Sequence, residues 1–139
     1  MFFKKNKKNN DKNSEFIKIA SLLIHTAKID EKYSNKEEEI IKKTLNELGF
    51  EKENISKTIK KAKIIEENSN QILEFTKEVK NMAENDKIKI VETLWRIIYS
   101  NNEADIYETS LMRRLGGLLY IDSKLMGNIK ERIKNKIQS

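Results

Sequence analysis

The 139-residue chain carries 28 lysines and arginines against 22 aspartates and glutamates, with no cysteine, no proline and only four glycines. Disulfides, thiolate metal sites and cysteine nucleophiles are therefore excluded, and a chain 36% charged with helical apolar spacing predicts an all-α fold. No apolar run approaches the length of a membrane span and no secretory h-region follows Met1, so the expected location is the cytoplasm.

Residues 1–13 hold five lysines and one aspartate, which accounts for four of the six net positive charges. The segment lacks a helical period and reads as a basic, disordered tail, with residues 14–139 forming one all-helical domain. Phe2 and Phe3, followed by Lys4, Lys5, Lys7 and Lys8, suit weak contact with an anionic membrane surface. A solvated tail is the plainer expectation.

The first predicted helix opens at Ser14 and Glu15, with Phe16, Ile19, Ala20, Leu23, Ile24 and Ala27 on its apolar face. It ends at the turn Asp30-Glu31-Lys32-Tyr33. Ser34 and Glu37 then form a capping box, with Tyr33 as its hydrophobic staple. The second helix presents Ile40, Ile41, Thr44, Leu45 and Leu48 and stops at Gly49. A weaker third helix over 51–67 uses Ile55, Ile59 and Ala62, and Asn68-Ser69-Asn70 breaks it, with Ser69 capping a fourth helix through Phe75 and Val79. After Asn85-Asp86 a fifth helix carries Ile88, Val91, Leu94, Trp95 and Ile98. The turn Asn101-Asn102-Glu103-Ala104 follows, and Asp105 with Glu108 makes a second capping box. Leu111, Met112, Leu115, Leu118 and Leu119 line the sixth helix. Asp122 or Ser123 caps a seventh through Leu125, Met126, Ile129 and Ile133.

One segment occurs twice, 71 residues apart, over Leu23–Phe50 and Leu94–Ile121. It pairs Asp30 with Asn101, Glu37 with Glu108, Ile41 with Met112 and Leu48 with Leu119. Each copy is an apolar stretch, an acidic turn, a capping box and a second apolar stretch. The expected architecture is a compact bundle of about seven short helices built on two pseudo-symmetric helix–turn–helix repeats.

The two turns supply the candidate site. Asp30, Glu37, Glu103, Asp105 and Glu108 are oxygen donors, and if the turns meet they suit a hard divalent cation such as calcium, magnesium or manganese, with zinc a further candidate. The same residues also have plain structural work: Ser34 and Asp105 as N-caps, Glu37 and Glu108 completing the boxes, each cap worth about 1 kcal/mol. His25, the only histidine, is expected at the edge of the core, Trp95 within it, and the pair Gly116-Gly117 where another helix packs closely. Arg113-Arg114 is expected on a solvated helix face. No motif places a histidine beside a serine or threonine, and there is no glycine-rich phosphate loop, so no enzyme activity and no catalytic residues are expected. Arginine is scarce, so specific nucleic-acid binding is not expected. A basic nucleic-acid-binding domain is kept as the alternative, with a metal-dependent hydrolase behind it.

With both acidic turns in view, the chain resembles the TerB-like family, which includes the tellurite-resistance protein TerB and the helical N-terminal domain of DjlA-type co-chaperones. The family pattern is roughly alanine-aspartate-glycine, with a glutamate seven residues after the aspartate. Here Ala27 lies just before Asp30, with Glu37 seven residues on, and Glu108 is seven residues beyond Asn101. The motif glycine is Glu31 in the first copy and Asn102 in the second, and the second aspartate is Asn101. The resemblance covers about residues 15–137. It implies an all-helical domain with an acidic face that binds divalent metal, a role in stress or metalloid response, and a protein partner such as a TerC-type membrane protein at the inner face of the membrane. The co-chaperone activity needs a His-Pro-Asp motif, which a chain without proline does not have.

Overall fold

A computed structural model describes residues 2–28, 35–68, 72–100 and 106–138, with side chains placed in 14–28, 35–68, 72–100 and 108–136. Among the described residues the secondary structure is entirely helical: α1 (Phe2–Ala27), α2 (Asn35–Glu47), α3 (Lys52–Glu67), α4 (Leu73–Lys80), α5 (Glu84–Tyr99), α6 (Ile106–Leu118) and α7 (Ser123–Gln138). The helical backbone of α1 is continuous back to Phe2, twelve residues before the start at Ser14 that capping signals suggest.

The expected apolar faces are the buried ones. Ile19, Leu23 and Ile24 of α1, Ile41 and Leu45 of α2, and Val91, Leu94 and Ile98 of α5 form one core with Phe75, Met112, Leu115 and Ile129. α1 lies against α2, α3, α4 and α5, and α5 in turn packs on α2 and α7. Two helix starts differ from the sequence expectation. α4 begins at Leu73 with Ile72 at its N-cap and no side-chain cap; Ser69 lies outside the described residues. α5 begins at Glu84 with Ala83 at its N-cap, so Asn85 and Asp86 sit inside its first turn. Glu84 and Asp86 there suit the positive end of the helix dipole.

The 71-residue repeat is visible in the helix bounds and extends further than the sequence pattern suggests. α2 over 35–47 corresponds to α6 over 106–118, and α3 over 52–67 corresponds to α7 over 123–138, all at the same offset. The repeat unit is therefore three helices, α1-α2-α3 and α5-α6-α7, with α4 between them. α3 packs on α1 as α7 packs on α5. Ile55, Thr58 and Ala62 of α3 are buried at the positions of Met126, Ile129 and Ile133 of α7.

The same C-terminal cap closes α2 and α6. Phe50 N donates to Leu45 O at 3.0 Å and Gly49 N to Asn46 O at 3.0 Å. Ile121 N donates to Gly116 O at 2.9 Å and Tyr120 N to Gly117 O at 3.3 Å. These are the paired bonds of the Schellman motif, which needs a left-handed residue at its pivot. Gly49 takes φ 100° there, and Tyr120, its counterpart, takes φ 56° although it is not glycine.

Candidate functional site

Glu37 and Glu108 each occupy the third position of their helix, α2 and α6, where a capping-box glutamate stands. Both are buried, 2% and 5% exposed, and neither is without a polar partner. A carboxylate so removed from water is costly unless its charge is engaged. Asp30, Glu103 and Asp105, the other three candidate ligands, lie outside the described residues, as do the capping residues Ser34 and the turn 101–105. Among the described residues no group of three or more His, Cys, Asp or Glu is arranged to hold a metal ion.

The described flanks of the two turns border one structure, the C-terminal end of α5. Lys36, the residue before Glu37, donates from Nζ to Ser100 O at 3.1 Å. Its ammonium satisfies a carbonyl at a helix end that carries partial negative charge. From the other repeat, Glu108 acts electrostatically on Tyr99. Burial pushes the Tyr99 phenol above its ordinary value, and the carboxylates of Glu131 and Glu108 push it further. Tyr99 stacks on Trp95 with ring centroids 5.9 Å apart. The N-terminus of α2 is thus hydrogen-bonded to Ser100, and Glu108 at the N-terminus of α6 acts on the neighbouring Tyr99 through its charge alone.

Glu38, beside Glu37, is partly buried and bridged to Lys63 Nζ at 2.7 Å, which ties α2 to α3. Thr44 of α2 meets Thr93 of α5 hydroxyl to hydroxyl at 2.7 Å within the core.

A second polar cluster was not signalled by any sequence pattern. Glu66, buried near the end of α3, accepts from Lys28 Nζ at 2.8 Å and stands 3.2 Å from His25 Nδ1. The Glu66 hydrogen bond holds the Lys28 ammonium above its ordinary value, against the opposing effect of burial. His25 is partly exposed at the core edge, as its spacing implies, with Glu66 as its neighbour. The partners are 38 and 41 residues apart in the chain, and only the α1–α3 packing brings them together.

Arg96 and Arg132 both reach Glu92, at 3.6 Å and 2.9 Å, so two of the four arginines are occupied within the fold. No helix among the described residues is long and apolar enough to cross a membrane.

A family model described as tellurite resistance protein TerB matches residues 16–131 of the chain. No curated protein and no solved structure matches it.

Proposed function

The chain belongs to the TerB family, and on that premise we propose that it is a non-catalytic accessory domain that binds a divalent cation at its two acidic turns. The observation that carries this reading is the equivalence of Glu37 and Glu108. Two buried carboxylates stand at the same position of two repeats, Glu37 beside the Lys36 that bonds Ser100 at the end of α5, and Glu108 acting on Tyr99 through its charge. Asp30, Glu103 and Asp105 would complete the ligand set from the adjoining turns. An all-oxygen set of this kind suits calcium, magnesium or manganese better than zinc. With Asn101 and Asn102 in the second turn, Asp30 supplies the charge that its counterpart lacks.

In this role the domain serves a stress or metalloid response by presenting its helical surface to a protein partner, for which a TerC-type membrane protein is the candidate. The cytoplasm, at the inner face of the membrane, is the location that fits. The lysines of residues 4–12 would add about 1 kcal/mol each near an anionic surface.

Thermal-shift and calorimetric titrations with calcium, magnesium, manganese and zinc test the metal site. A cation bound only by the folded state stabilises it by about 2.7 kcal/mol at a hundredfold excess over Kd. Asp30→Asn should remove most of that gain, and Glu38→Gln should leave it largely in place, because Glu38 is engaged with Lys63. A melting curve unmoved by millimolar amounts of all four ions refutes the metal site.

A further inference from the structure

The two repeats carry a cleft at the same corner, between α2 and α3 in the first and between α6 and α7 in the second. The first has a volume of about 330 Å³ and polar walls that include Glu39, Lys42, Lys43 and Lys52, with Lys42 bridged to Glu38 and Glu39. The second, about 370 Å³, reuses the equivalent positions: Arg113 for Lys42, Gly117 for Asn46, Ser123 for Lys52, Met126 for Ile55 and Gly127 for Ser56. Its character is different because three of its residues are glycines. Gly116 stands where the first repeat has the fully buried Leu45, so Trp95, the counterpart of Ile24, becomes part of the wall. A Cβ on Gly117 or Gly127 would meet nothing within 4 Å, whereas one on Gly116 would press on Met126 at 3.3 Å. Glycine thus lets α6 and α7 touch at their joining turn and leaves the space beyond it open.

Chemically, the α6–α7 cleft is an apolar trough with cations beside it. Met112, Ile121 and Met126 supply an adaptable apolar lining. Lys130 Nζ lies 5.6 Å from the centre of the Trp95 ring, and Arg113 on the opposite helix is exposed; neither has a carboxylate partner among the described residues, whereas Arg96 and Arg132 share Glu92. The buried indole Nε1 of Trp95 has no hydrogen-bond acceptor among the described residues. A buried donor left without an acceptor is destabilising, and an incoming oxygen would relieve it. The volume lies within the range of small-molecule sites, about 300–1,000 Å³.

We propose that the α6–α7 cleft binds a free single-chain carboxylate, a medium-chain fatty acid, with its chain along Met112, Ile121 and Met126. Its carboxylate draws on Arg113, Lys130 and the Trp95 indole. None of the described residues that line it is a candidate metal ligand, and its ligand does not depend on a bound cation. The first-repeat cleft, with Leu45 in place of Gly116 and charged side chains on its walls, does not bind the same ligand.

Trp95 is the only tryptophan, so its emission reports directly on the cleft. Dodecanoate, titrated below its micelle concentration into the full chain, should give a saturable one-to-one emission change matched by calorimetry. Arg113→Gln with Lys130→Gln should weaken the affinity at least tenfold. Gly127→Leu, which places a side chain in open space within a helix, should abolish binding while far-UV helicity and Tm are kept. Absence of saturable binding overturns the proposal, as does equally tight binding of dodecyltrimethylammonium. So does a folded Gly127→Leu variant that binds like the parent. Binding to anionic phospholipid vesicles without binding of free dodecanoate would also overturn it, in favour of a membrane-docking face.

Discussion

Replacing Thr44 and Thr93 by valine, singly and together, tests whether α2 is seated on α5 as described, since that seating fixes where Glu37 lies. Both hydroxyls are almost fully buried. Thr44 Oγ1 is 3.1 Å from Ile40 O, Thr93 Oγ1 is 2.8 Å from Lys89 O, and the two oxygens are 2.7 Å apart. Each hydroxyl has one proton, so two protons serve three short contacts, and one threonine must donate to the other while giving up its own carbonyl. In Thr93→Val, the Thr44 hydroxyl can return its proton to Ile40 O, so no donor is stranded. The loss is one buried hydrogen bond, about 0.5–1.5 kcal/mol, partly offset by the buried methyl that replaces the hydroxyl. Thr44→Val behaves in the same way from the other side. The double variant removes both polar groups at nearly constant shape and should cost less than the sum of the two, leaving a coupling of about 1 kcal/mol. Urea denaturation of the four proteins measures it. Additive effects, or single variants as stable as the parent, would show that the hydroxyls do not meet and that α2 sits differently on α5.

The shared C-cap makes a reciprocal prediction: Gly49→Ala should cost about 1–2 kcal/mol, because φ 100° is strained for any side chain and no atom crowds the site. Tyr120→Gly should cost nothing measurable, since relief at φ 56° offsets the lost contact with Lys80, 4.8 Å from the ring. Equal losses in the two variants would contradict the common motif. The raised Tyr99 phenol predicts alkaline sensitivity. A folded-state value above the unfolded one contributes stability that is complete below about pH 10 and is lost as pH rises through the folded value. Lys28, also raised, acts in the same direction. Tyr99→Phe should flatten the fall in stability above about pH 10, and an unchanged slope would refute the assignment. Deleting residues 1–13 should leave Tm nearly unchanged, because the segment offers few periodic apolar residues to offset its ordering entropy; a drop of many degrees would show that it is docked on the domain.

Much of this protein is written in short-range pattern. The three- and four-residue spacing of Ile19, Leu23 and Ala27, and of Leu94 and Ile98, determines which faces are buried, because an amphipathic helix must turn its apolar stripe inward. The Ser34–Glu37 and Asp105–Glu108 spacing locates the starts of α2 and α6, and Gly49 the end of α2, since capping is settled within one helical turn. Tyr120 hides the matching end of α6, because there tertiary context holds a non-glycine residue in the left-handed region. The third helix of each repeat escapes the pattern for a different reason. α3 and α7 share buried positions but few residue types, so their equivalence is one of burial rather than identity. What lies across from what is decided only by packing. Glu66 meets His25 and Lys28, Thr44 meets Thr93, and Lys36 reaches Ser100 over separations of 38 to 64 residues that no local signal spans. Trp95 shows the division most plainly. Its spacing places it in the core, and it is buried there. That it also lines a cleft depends on Gly116, Gly117 and Gly127, brought beside it by two other helices.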